Sequence, residues 1–189
     1  ASQENYVDLT DKKRTKIVTR EMDRGINLLS RLPRSVVVVG HPGQGEYGNE
    51  VLGVLRNIIT AAFKDGIPVR ISSRNLVFDE VFTTAEQNGW FNSLQAVLYR
   101  DPKDRPWTEK EKYLEREYLT RVVLLADPSN HQLLLTYNAR GYIFLPGGVG
   151  TMNKLLDIVT AMQTGSIKRK PVVLIGREFW APIFKVLKD

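Results

Sequence analysis

The chain has 189 residues, 42% of them apolar and 25% charged, a balance that excludes a disordered tail, a collagen-like fibre or a coiled-coil rod. It has no cysteine and only two histidines, His41 and His131, which excludes disulfides and thiolate chemistry and argues against a zinc enzyme. The net charge of +6 sits mainly at the ends: residues 1–34 carry eight basic and five acidic groups, residues 166–189 six and two.

Residues 10–32 read as a helix, with Ile17, Met22, Ile26, Leu29 and Leu32 recurring among charges and Pro33 as the stop. Ser35–Gly40 is a short, β-branched, apolar run of the kind buried in parallel sheets. A glycine-rich loop leads to a second helix over Asn49–Lys64, ended by Asp65-Gly66. Pro68–Ser72 is a second strand, Val81–Asn88 a helix closed by Gly89, and Ala96–Tyr99 a third strand. Residues 101–117 read as a loop leading into an exposed helix, which Tyr118–Ala126 is predicted to continue. Residues 127–140 hold a helix or turn, and Tyr142–Leu145 a strand. Thr151–Thr164 is a helix stopped by Gly165, Pro171–Ile175 a last strand, and a terminal helix follows. This alternation predicts an α/β, Rossmann-like, doubly wound and mainly parallel sheet with helices on both faces. Residues 1–33 form an N-terminal helical extension in this reading, and 34–189 a single domain. No run approaches the ~18 apolar residues of a membrane span, so no membrane insertion is expected, and no signal peptide is visible.

Two glycine-rich turns carry the chemistry. Leu145-Pro146-Gly147-Gly148-Val149-Gly150-Thr151 runs from a buried strand into a helix. Such a turn lets a ligand approach the backbone and offers it the free N–H groups and positive dipole of a helix start. Gly147, Gly148, Gly150 and Thr151 are therefore assigned to phosphate. Gly43, Gly45 and Gly48 fit G-x-G-x-x-G after the first strand, and Gly43 and Gly45 join the phosphate-binding set. With Arg74 at the end of the second strand, that turn also admits an NADP-binding reading, although its glycines come late for the dinucleotide fingerprint. The basic ends leave nucleic acid as an open partner without a recognition motif.

The Pro146–Thr151 turn resembles that of the LONELY GUY family, also labelled "possible lysine decarboxylase", and the likeness covers most of residues 34–187. The resemblance implies a Rossmann-like fold, a dimer, and hydrolysis of the N-glycosidic bond of nucleoside 5′-monophosphates to free base and ribose 5-phosphate. The family's signature is P-G-G-x-G-T-x-x-E, preceded by M-x-x-R-K on a helix. Pro146, Gly147, Gly148, Gly150 and Thr151 keep the first part. Within Tyr118–Val122, Arg121 keeps the arginine, and the family's glutamate falls on Lys154. Where the family has a glycine triplet after the second strand, this chain departs from it and reads Ile71-Ser72-Ser73-Arg74, with no glycine until Gly89.

The resemblance assigns a catalytic role to Arg121; helical spacing offers Asp157, one turn beyond Lys154, as a stand-in for the lost carboxylate, with pairing of Asp157 and Lys154 as the favoured alternative. The expected function is a divergent family member with a phosphate or nucleotide turn and weakened or lost hydrolysis, serving as a binding or structural subunit of a larger assembly. An active phosphoribohydrolase and an NADP-binding domain are the alternatives. No cofactor is expected: pyridoxal phosphate chemistry needs a Schiff-base lysine and a pyridinium partner, and Lys154 alone marks neither. The expected partners are a nucleoside monophosphate or other phosphate ligand and a second copy or larger complex. The expected location is intracellular, in the cytoplasm or an organelle such as the mitochondrion.

Overall fold

A computed structural model of the chain describes residues 12–72, 75–99, 106–125 and 130–186. Six strands form one sheet: β1 (Ser35–Val39), β2 (Val69–Ser72), β3 (Leu94–Tyr99), β4 (Val122–Leu125), β5 (Ala139–Phe144) and β6 (Val172–Leu174). Their order is β4-β3-β2-β1-β5-β6, and every neighbouring pair is parallel. The order reverses direction between β1 and β5, the position at which open α/β sheets bind ligands beyond their carboxyl ends.

Alternation along each strand divides the core into two layers. On one face Val38, Val69, Ile71, Leu98 and Ile143 pack against α2 (Glu46–Lys64), α3 (Leu76–Asn88) and α4 (Glu109–Glu117). On the other face Val37, Val39, Val97 and Phe144 meet α1 (Lys12–Arg31), α5 (His131–Thr136), α6 (Val149–Gln163) and α7 (Arg177–Val186). Leu29 of α1 is fully buried in that second layer. The scattered tryptophans are packing residues: Trp107 and Trp180 are buried, and Trp90 packs against Phe63 with tilted rings 5.6 Å apart.

The main departure from the sequence reading is β4. Val122–Leu125 does not continue the preceding helix; Tyr118 ends α4, and a 3-10 turn over Leu119–Arg121 feeds a sixth strand. Parallel pairing with β3 buries Val122, Val123 and Leu125, a gain that outweighs the weak helical preference of a four-residue apolar run. Residues 127–140 likewise divide: α5 ends at Thr136 and β5 has begun by Ala139. The loop predicted at 101–105, and Ser73 and Arg74 of the NADP reading, lie outside the described residues.

Arg70, in the middle of the sheet, has no exposed surface. Its guanidinium donates to Gln95 Oε1 at 2.9 and 3.2 Å, to the carbonyls of Leu134 and Leu135 at 3.5 and 3.3 Å, and to that of Tyr137. Gln95 in turn donates to the Pro33 carbonyl at 2.9 Å. The cation therefore caps the carbonyl end of α5, where the helix dipole is negative. Burial lowers its pKa to about 10, so it remains charged at neutral pH. Asn130 and Asn138 bracket α5 and donate to the α1 carbonyls of Val18 (2.6 Å) and Leu29 (3.2 Å). These bonds fix α5 under the sheet and decide what its first residue faces.

Candidate functional site

The turns after β1 and β5 lie side by side at the switch point. The Leu145 N–H donates to the Val39 carbonyl, and the His41 N–H to that of Pro146, both at 2.9 Å. Gly147 has to be a glycine, since a Cβ there would collide with the Thr151 hydroxyl. Asn75 ties in the turn after β2: its Oδ1 accepts from Phe78 N (2.8 Å), capping α3, and its Nδ2 donates to the Gly40 carbonyl (3.2 Å).

A cavity of about 260 Å³ opens between these turns. Its walls include Gly40 and His41 after β1, Ser72 at the end of β2 and Asn75 beyond it, His131 of α5, Gly148 capping α6, and Gly150, Thr151 and Lys154 within α6. The start of α6 thus points unpaired backbone donors and the positive end of its dipole at the space. Lys154 adds a half-buried ammonium whose Nζ lies 3.4 Å from the Gly150 carbonyl. Burial lowers its pKa, and the nearby charge of Asp157 partly offsets that effect. No carboxylate is among the described residues that line the cavity.

His131 and Ser72 share a hydrogen bond of 2.7 Å between Nε2 and Oγ. Burial, and next the charge of Lys154, lower the His131 pKa to about 4. The ring is therefore neutral in the folded protein at pH 7, while an unfolded chain takes up its proton near pH 6.5. The stability this represents is complete above about pH 6.5 and is lost as pH falls toward 4. Urea denaturation across that interval is expected to show a loss of about 1–3 kcal/mol that His131→Gln removes. An identical pH slope in the two proteins contradicts this assignment.

The structure brings together Gly148, Gly150 and Thr151 at the cavity, with Gly147 packed beneath Thr151. The other sequence-assigned residues stand elsewhere. Arg121 precedes β4, at the amino end of the outermost strand, whereas the cavity lies beyond the carboxyl ends of β1 and β2. Asp157 is exposed, accepts a hydrogen bond from Gln132 Nε2, and does not line the cavity. Gly43 and Gly45 do not line it either. Gly43 packs its carbonyl against Gly48 too closely for any side chain there, and Gly45 starts α2 at a φ of 113°. His131 and Asn75 are site residues the sequence reading left unassigned; for His131, a histidine opening a short helix after Pro128-Ser129-Asn130 was the one local signal.

A family model described as "Possible lysine decarboxylase" matches residues 39–189, which include every lining residue of this cavity except Val38. The chain belongs to this family, the LONELY GUY family of the Pro146–Thr151 turn. It is 36% identical over 71 residues to the cytokinin riboside 5′-monophosphate phosphoribohydrolase LOG7 of Arabidopsis thaliana. That match covers 38% of this chain and 32% of LOG7, so it spans about a third of the relative's length. No helix among the described residues of this LONELY GUY protein is long and apolar enough to cross a membrane.

Proposed function

We propose that this LONELY GUY protein holds a nucleoside 5′-monophosphate by its phosphate and cleaves the glycosidic bond slowly or not at all. One observation carries the reading: the cavity at the sheet's switch point is walled by the α6 amino end and Lys154, with no carboxylate among its described residues. Phosphate suits such a wall, since backbone N–H groups, the helix dipole and an ammonium all favour a dianion. Glycosidic cleavage needs the opposite field, because positive charge develops on the ribose as the base leaves and a carboxylate normally stabilises it. One unit charge about 4 Å away contributes roughly 4 kcal/mol at an effective dielectric of 20. A lysine where the family has a glutamate therefore turns a favourable contribution of that size into an opposing one. His131, neutral and bonded to Ser72, supplies no compensating negative charge.

In this reading Gly148, Gly150, Thr151 and Lys154 hold the phosphate, and neither Arg121 nor Asp157 acts on substrate. A protein that keeps the pocket without the chemistry serves by binding, as one subunit of an assembly or of a homodimer. Titration calorimetry with a panel of nucleoside 5′-monophosphates, followed by assay for free base, tests it. Saturable binding with no base released is the expected result. Absence of binding across the panel, or base release at an enzymatic rate, contradicts it.

A further inference from the structure

The described residues carry a second concavity at the opposite end of the sheet, with a volume of about 410 Å³. Its polar wall consists of Arg34, Asn138, Arg140, Lys168, Arg169 and Lys170. These come from three separate segments. Arg34 leads into β1, Arg140 is the second residue of β5, and 168–170 lie in the link from α6 to β6. Because β1, β5 and β6 are parallel neighbours, all three segments meet at the amino ends of the strands, across the sheet from the first cavity. Part of the basic excess at the chain's two ends is thus gathered into one hollow.

We propose that this hollow is a second anion site, shaped for a compact oligophosphate such as a small molecule carrying two or three linked phosphates. Five cations converge on it, and no carboxylate is among its lining residues. None of the five takes part in an ion pair among the described residues. Lys170 shows the strain of that arrangement: burial and the charges of Arg34 and Arg70 all push its pKa down. Its ammonium lies 6.0 Å from the centroid of the Tyr142 ring, a weak counterweight to the neighbouring guanidinium groups. A ligand with several closely spaced negative charges removes the repulsion all at once. Guanidinium forks match pairs of phosphate oxygens, and three of the five cations are arginines. The surface is a hollow rather than a stripe, and no aromatic residue lines it, so it offers nothing for bases to stack on. Those two features favour a small polyphosphate over a single-stranded nucleic acid.

The test uses inorganic tripolyphosphate, titrated calorimetrically into the whole chain. The first cavity is closed by Gly148→Asp, so that the two sites are read separately. One equivalent is expected to bind the Gly148→Asp protein. Adding Arg140→Ser and Lys168→Ser, both exposed positions, should weaken binding by about tenfold or more through loss of two charge-assisted contacts. Three results would overturn the proposal: no binding to the Gly148→Asp protein, affinity unchanged by the two serine substitutions, or capture of a short single-stranded RNA that tripolyphosphate fails to displace. The outcome is independent of whether the first cavity holds a nucleotide.

Discussion

Replacing Arg70 by methionine is expected to remove about 3–5 kcal/mol of stability, a large share of what a domain of this size has. The loss does not come from a broken ion pair. It comes from the acceptors left behind: the carbonyls of Leu134 and Leu135 and the Oε1 of Gln95 lose their donor in a dry interior, and the part-buried carbonyl of Tyr137 loses one as well. Each buried acceptor without a partner costs about 1–3 kcal/mol, and relief from holding a buried cation returns only part of the sum. Methionine fills much of the volume, so the effect isolates polar satisfaction from packing. Urea denaturation midpoints measure it, with Arg140→Ser, at an exposed position of β5, expected to change stability by less than about 0.5 kcal/mol. A loss below about 1 kcal/mol for Arg70→Met would mean that α5 holds its place without the guanidinium.

Gly148→Asp is expected to separate binding from folding. Gly148 caps α6 with a φ of −82° and a ψ of −161°, extended backbone open to any residue, and a Cβ there meets nothing within 4 Å. Aspartate is a better N-cap than glycine and complements the helix dipole, so thermal unfolding should show stability unchanged or raised by about 0.3–1 kcal/mol. Phosphate affinity moves the other way. A carboxylate about 4 Å from the bound anion opposes it by roughly 4 kcal/mol, close to a thousandfold in affinity. Phosphate titration of the two proteins gives the comparison. Affinity preserved in Gly148→Asp would place the anion away from the α6 amino end, and a destabilised variant would contradict the cap geometry.

The strands that were legible in the sequence are those whose signals are local. Val36–Val39 is a run of β-branched residues bounded by Pro33 and Gly40, and Phe144–Thr151 compresses strand, turn and helix start into eight residues. Val122–Leu125 has no such boundary: it follows a charged helix without glycine or proline, and four apolar residues fit either periodicity. Reading it as helix put Arg121 on a helix near the site, and recognising β4 moves it to the far end of the sheet. The Ser72–His131 contact joins residues 59 apart, and the walls of the basic hollow come from three segments; neither has a spacing to detect. Arg70 was hidden for a related reason. A lone arginine within a strand reads as an outward-facing residue, and only the carbonyls of α5, more than sixty positions later, bring it into the core.

Lys154 fits the proposed cavity to hold a phosphate while opposing cleavage. The most direct measurement follows binding of adenosine 5′-monophosphate and release of adenine by the native chain and by Lys154→Glu, side by side. The native chain is expected to bind the nucleotide and release no base, and Lys154→Glu to bind it at least about tenfold more weakly because the charge beside the phosphate has changed sign. Release of adenine by the native chain that falls when Lys154 becomes glutamate would contradict this expectation.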